Sequence, residues 1–319
     1  MIIEKTAKKI SNYRRTCACF ESARKGFSFL LAKYAQNDSV VLLPSYIGVS
    51  PNEGSGIFDP VKANCIPFRF YGMNKRLHID VESYRNTLKF ASEHYSKILV
   101  LIVHYFGYVD PQYDLVCQMA REVNAVIIED EAHALYTDYI DNACGHHGDY
   151  SLFSLHKMLP FSNGGMVRDN VGSGLLEDVA EIRPEERESI NPFQFDLYGI
   201  SQRRKENTSI LYKRLFGVQG ISFLHDKNET QTPQTVPIVI SPSIRNDFYF
   251  TLNNAGYGVV SLYHTLIDNI AETEFSQSVA LSRAITNLPV HQDILPDAIE
   301  SMCDYIIGYM ARKAKEGLF

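Results

Sequence analysis

The stretch KILVLIVHYFG, residues 97–107, constrains this chain most. Its apolar side chains follow one another without alternation, and a strand of that kind must be covered on both faces. A second such run, AVIIED (125–130), ends on two carboxylates. Between them PQYDLVCQMAREVN (111–124) opens on proline and carries apolar residues at helical spacing. Strand, helix and strand, with both strands fully apolar, predict a parallel pair joined by a crossover helix.

The same texture recurs along the first half. ARKGFSFLLAKYA (23–35) and VESYRNTLKFASEH (81–94) predict helices. VVLL (40–43), CIPFRFY (65–71), YSLFSLH and GGMVRD predict strands. The expected fold class is therefore α/β, a mainly parallel central sheet covered by helices. Beyond about residue 185 the pattern changes. ISQRRKENTSILYKRLF (200–216) predicts a long charged helix, followed by short strands at ISFL, VPIVIS (236–241) and GVVSLY (258–263) and helices near 243–255, 275–286 and 295–314. This predicts a large α/β domain over 1–190 and a smaller α+β domain over 191–319, a division within the usual domain sizes.

Composition excludes several classes. The 319 residues carry a formal net charge of −6, so there is no excess of basic charge for nucleic acid. The longest apolar run, ILVLIV at 98–103, has the length of a strand and not of a membrane span. MIIEKTAKKISNYRRT at the start has no secretory apolar core. Six scattered cysteines, with Cys17-Ala-Cys19 the one close pair, read as free thiols of a reducing cytoplasm. The adjacent pair His146-His147 is read as a loop and not as a metal site, because neighbouring residues of a strand point to opposite faces.

Sites in open parallel sheets lie at the carboxyl ends of the strands. His104, Asp130 and Lys157 all stand at or just past such ends. Lys157 is delivered by an apolar strand and followed by Gly164-Gly165, which permits close backbone approach. Burial there lowers an amine's pKa and makes it nucleophilic. Asp130 ends a strand too apolar to leave it fully exposed; it either caps the next turn or faces a cationic ring nitrogen such as that of a pyridine. His133, three residues on, shares a face with Asp130 if a helical turn begins there, and is otherwise structural. Ser22-Ala23-Arg24 opens a helix, where free N–H groups and the dipole favour an anion, although Ser22 also serves as an ordinary N-cap. Neither GxxxxGK[ST] nor GxSxG occurs.

Taken in order, ESARKGFSFLL, VVLLPSYIG, VHYFGYVDPQYDLV, IIEDEAHAL, GDYSLFSLHKMLPFSNGGMV and LPVHQDI resemble the DegT/DnrJ/EryC1/StrS family of pyridoxal-phosphate-dependent aminotransferases, which act mostly on nucleotide-linked keto sugars. The resemblance implies the type I aminotransferase fold, pyridoxal 5'-phosphate (PLP) as cofactor, an amino donor that is commonly glutamate, and a homodimer. Charge and the shortness of the apolar runs, as above, set the expectation of no nucleic-acid and no membrane partner. At the family level the resemblance points to surface-polysaccharide or secondary-metabolite biosynthesis. It assigns Lys157 as covalent anchor of the cofactor and proton shuttle, Asp130 as partner of the pyridine nitrogen, and His133 as neighbour of the 3-hydroxyl. Ser154, Ser22, Ala23 and Arg24 match phosphate-binding positions, and Tyr46 a ring-stacking aromatic. Two departures stand out. Ser154 precedes Lys157 by only three residues, as in a shorter-loop subgroup, and NPFQFDLYGISQRR stands where the family's Gly-x-Asn-x-Arg segment feeds the neighbouring subunit. Some relatives replace the lysine with histidine and dehydrate their sugar; here His156 is adjacent, but Lys157 remains.

Overall fold

Ten strands and nine helices organise two sheets among the described residues of the computed structural model, 17–34, 38–49, 56–179 and 191–318. The larger sheet contains β1 (Cys17–Phe20), β2 (Ser39–Pro44), β3 (Phe68–Tyr71), β4 (Lys97–Val103), β5 (Val126–Asp130), β6 (Tyr150–Ser154) and β7 (Gly165–Asp169), in the spatial order β1-β7-β6-β5-β4-β2-β3. Strands β3, β2, β4, β5 and β6 run parallel; β7 is antiparallel to both its neighbours.

Two separate hydrophobic clusters show why these strands are apolar throughout. Val40 and Leu42 of β2, Ile98, Val100 and Ile102 of β4, and Ile127 of β5 belong to one cluster. The residues between them, Val41, Leu43, Leu99, Leu101, Val126 and Ile128, belong to the other. Each of these side chains, fully buried, contributes about 1.5–3 kcal/mol, so every position of the central strands supports one face or the other. The covering helices are α1 (Ala23–Tyr34), α2 (Phe58–Ala63), α3 (Val81–His94), α4 (Tyr113–Glu122) and the short α5 (Leu135–Tyr139).

After α6 (Leu197–Leu215) comes a three-stranded antiparallel sheet of β8 (Ser222–Phe223), β9 (Thr235–Val239) and β10 (Ile285–Pro289), in the order β10-β9-β8. Helices α7 (Pro242–Asn254), α8 (Ser276–Ala284) and α9 (Pro296–Lys315) accompany it, and a third cluster containing Phe248, Ile238, Leu288 and Ile306 forms its core.

Local departures from the sequence reading have local causes. The run 97–107 leaves the strand at Val103, because 105–107 turn into a 3-10 coil with Phe106 at φ 58° and Gly107 at φ 88°. The segment 258–263 makes only an isolated bridge, Val260 to Asn287. The helix expected to reach 286 stops at Ala284, and Ile285–Pro289 form β10, whose β-branched start pairs with Val239 and Ile238. The short strand β1 carries no alternation and is specified by pairing with β7. The reading of residues 1–16 and a division at 190 lie outside the described residues.

The Gly164-Gly165 pair welds the amino end of α1 to the loop after β6. Gly164 has φ 118°, its N–H donates to the Glu21 carbonyl and its carbonyl accepts from Leu155 N–H. A Cβ on Gly165 would stand 2.2 Å from backbone atoms of Ser22 and Ala23. Backbone cannot yield as a side-chain tip can, so Gly165→Ala is expected to cost about 3 kcal/mol of stability, read as a lowered urea midpoint with unchanged slope.

Candidate active site

The carboxyl ends of three neighbouring strands meet. Val103 of β4 pairs with Asp130, and Asp130 with Leu152 of β6. This register sets His104, Asp130 and Ser154 side by side, and the 3-10 turn 155–157 brings Lys157 back over them. The amino end of α1 closes the same edge, since β1 ends where β7 begins. The result is a cavity of about 240 Å³. Lys157, Asp130, His133, Ser154 and the Ser22-Ala23-Arg24 turn all line it.

Lys157 Nζ lies 3.0 Å from His133 Nε2. His133 is buried, and its Nδ1 accepts the backbone N–H of Phe106 at 3.2 Å. A backbone N–H can only donate, so Nδ1 holds no proton and a neutral imidazole carries its hydrogen on Nε2. That hydrogen points at Lys157, and the contact is favourable when the amine is unprotonated and accepts it. Both titrations move in the matching direction. Burial, and then the Lys157 charge, hold His133 well below the usual histidine range. Burial lowers Lys157 too, against the pull of Asp130 and with help from Arg24.

Asp130 is 7% exposed and accepts Ala132 N–H at 2.9 Å. Burial raises its pKa; the Ala132 N–H, Lys157 and His104 oppose that. A cation facing the carboxylate in the cavity would favour its charged form further. Next to it in sequence, Glu129 points to the other side of the strand and is saturated. It accepts His104 Nε2 at 2.8 Å, Tyr113 Oη at 2.8 Å, and the N–H groups of Gly145, His147 and Gly148. Burial works against its charge, but the His104 hydrogen bond and charge and the Gly145 and Gly148 N–H groups outweigh it and hold the carboxyl at about 2.

At the other end of the cavity, Ser22 caps α1, its Oγ accepting Lys25 N–H at 3.3 Å. Arg24 pairs with Asp59 at 3.1 Å, both half-exposed, and a Cβ on Gly56 would collide with the Arg24 side chain. Ser154 Oγ stands 3.4 Å from His156 Nδ1, and His156 also lines the cavity.

Tyr46 lies elsewhere. It is fully buried against Tyr105 and Tyr263, with ring centroids 5.7 and 5.4 Å away, and does not line the cavity. Two other aromatics, Phe27 and Tyr263, reach the cavity, and the sequence reading named neither as a site residue. The φ of Tyr263, 61°, is uncommon for a bulky residue, and packing against Tyr46, Tyr105 and Phe106 holds it there. His104 also lines the cavity; its Nδ1 is buried and, among the described residues, has no hydrogen-bond partner. Its place at a strand end was a usable signal.

The arrangement fits PLP. An amine, a buried carboxylate with one backbone N–H partner, an orphaned imidazole nitrogen and a serine-lined helix end stand around one cavity, a donor set that suits an aldehyde-bearing pyridine phosphate. The fold is the one that PLP-dependent aminotransferases share. The DegT/DnrJ/EryC1/StrS aminotransferase family model matches residues 74–175, the segment holding Asp130, His133 and Lys157, so the resemblance seen in the sequence is borne out there.

Solved structures agree on the fold. An aminotransferase of this family from Brucella abortus superposes with a TM-score of 0.74 at 15% identity, over 92% of this chain and 86% of that one. DesI, solved in the presence of its TDP-sugar product, gives 0.74 at 16% identity, over 96% and 83%. The Escherichia coli GDP-4-keto-6-deoxy-D-mannose-3-dehydratase with bound hydrated PLP gives 0.72 at 13%, over 90% and 86%. No curated protein sequence matches the chain. Among the described residues no helix is long and apolar enough to cross a membrane, and none of the six cysteines is in a disulfide.

The buried amine is a stability cost. With its folded pKa depressed, Lys157 penalises the native state fully below that value, where both states hold the proton, and not at all above the unfolded value of about 10.4. Lys157→Met is therefore expected to stabilise the cofactor-free protein at pH 7 by about 1–3 kcal/mol, a gain that shrinks as the pH approaches 10, measured by urea unfolding at both pH values.

Proposed function

We propose that this chain is a PLP-dependent aminotransferase that moves an amino group from an amino acid, glutamate foremost, to the keto group of a nucleotide-linked sugar. The observation that carries the reading is the Lys157 amine enclosed in the cavity 3.0 Å from His133 Nε2, with Asp130 on the same wall. Ser22, Ser154 and the amino end of α1 hold the phosphate, and Arg24 adds charge. Asp130 keeps the ring nitrogen protonated. Bound PLP supplies an electron-accepting ring that stabilises negative charge on the carbon beside the transferred nitrogen. Lys157, once released by the donor, takes the proton from that carbon as a general base and returns it on the other side. His133, with Nδ1 committed to Phe106 N–H, directs its Nε2 hydrogen at the amine and orients it. Tyr263 and the apolar wall exclude water. The same reading divides the chain into a cofactor-holding unit, 1–190, and a smaller unit from 191 that brings Tyr263, and pairs two chains as a homodimer.

Borohydride treatment of the PLP-loaded protein is expected to fix the cofactor on the peptide containing Lys157, by peptide mass. Glutamate alone is expected to yield about one equivalent of 2-oxoglutarate per site in a single half-reaction, and Lys157→Ala to yield none. Label on another lysine, or no oxoacid from any donor in a broad amino-acid panel, overturns the reading; in the latter case a non-catalytic ligand-binding protein on this scaffold takes its place.

A second reading, dehydration of the sugar on the same scaffold, is favoured by the likeness to the dehydratase and by His156 at the cavity rim. Lys157 beside His133 weighs for transamination. The products separate the two: an amino sugar formed only with glutamate, or a deoxy sugar carrying no new nitrogen.

A further inference from the structure

Outside the cavity the loop 145–148 presents a second group of chemistry-bearing side chains. His146 and His147 do not sit on a strand, so the alternation that would send them to opposite faces does not apply. Ring nitrogens of both and a carboxylate oxygen of Asp114, from the first turn of α4, all lie within 4.8 Å of one another. None of the three lines the cofactor cavity.

We propose that His146, His147 and Asp114 form a zinc site on the surface of this chain. Three features support it. First, His146 Nδ1 stands 3.2 Å from the Cys144 carbonyl. A carbonyl only accepts, so that nitrogen carries the hydrogen and Nε2 is left with its lone pair, the arrangement that a carbonyl behind the ring imposes on metal-binding histidines. Second, His147 Nε2 lies 2.8 Å from Asp114 Oδ1. This pair shares a proton, and a dication can take the proton's place between a nitrogen and a carboxylate oxygen. Third, the loop is held in advance. The N–H groups of His146 and His147 both point at Tyr113 Oη, and those of Gly145, His147 and Gly148 at the buried Glu129. Tyr113 also packs against both imidazoles, at 5.4 and 4.8 Å between centroids.

Two imidazoles and one carboxylate, with water completing the shell, suit Zn²⁺ and not the all-oxygen preference of Mg²⁺ or Ca²⁺. All three side chains are open enough for an ion to reach them and for tetrahedral spacing to be adopted by side-chain rotation. The ion would tie the 145–148 loop to the start of α4.

The test is titration of the full chain, freed of metal, with ZnCl₂ by calorimetry, beside His146→Ala, His147→Ala and Asp114→Asn. Asp114 and His146 are exposed, His147 is half-buried, and the loop's backbone anchors remain, so all three variants are expected to fold, with metal-free melting of His146→Ala and Asp114→Asn close to that of the parent. Expected is one zinc per chain, unaffected by excess Mg²⁺, with affinity reduced about tenfold or more by each change and a zinc-induced rise in melting temperature that His146→Ala and His147→Ala abolish. The thiols of Cys17 and Cys65 are exposed and are present in every variant. Tight binding that survives loss of both histidines, or a Co²⁺ derivative showing thiolate charge transfer, overturns the site in favour of those thiols. Binding only at millimolar zinc overturns it outright.

Discussion

Two adjacent carboxylates at the end of a strand covered on both faces are the constraint around which this molecule is arranged. Strand alternation sends Glu129 and Asp130 to opposite sides, and each must be satisfied where water does not reach. Glu129 meets that demand within the protein, through His104, Tyr113 and three backbone N–H groups. Asp130 does so only in part, with one N–H from Ala132 and the more distant charges of Lys157 and His104. The saturated carboxylate organises the loop 145–148 and orients His104. The undersatisfied one faces the cavity. An unmet electrostatic requirement beside an enclosed space is what a charged ring nitrogen would relieve.

The sheet was largely legible because its strands are covered on both faces, which forces continuous apolar runs that few other structures require. VVLL, KILVLIV and AVIIED each correspond to a strand. What could not be read was specified by partners and not by local pattern. Strand β1 exists through pairing with β7, and β10 is cut from the end of a helical pattern by its register with β9. The same distinction runs through the site. Lys157, Asp130, His133, Ser154 and the Ser22 turn share a cavity because strand ends and a helix start are local features. Tyr263 reaches it from more than a hundred residues away, in a segment with no regular pattern, while Tyr46, close to a strand end, is turned into the aromatic packing behind it. His146 and His147 lie in a loop, as the sequence reading had it.

The lysine and histidine at the centre show how local hydrogen-bond direction sets chemistry. Two ordinarily basic groups 3.0 Å apart repel when both are charged. The Phe106 N–H removes the ambiguity, since it fixes which imidazole nitrogen is bare. Phe106 itself stands at a φ of 58°, an uncommon conformation for an aromatic residue, and its carbonyl accepts Gln234 N–H while a Cβ on Gly107 would collide with the Thr232 and His133 carbonyls. The strained turn is thus held between the end of β4, the segment after Asp130 and the start of β9. It follows that the tautomer of His133, and through it the state of the Lys157 amine, depends on how the two sheets pack together. A substitution that loosened that turn would reach the amine through the Phe106 N–H while leaving every side chain of the cavity in place.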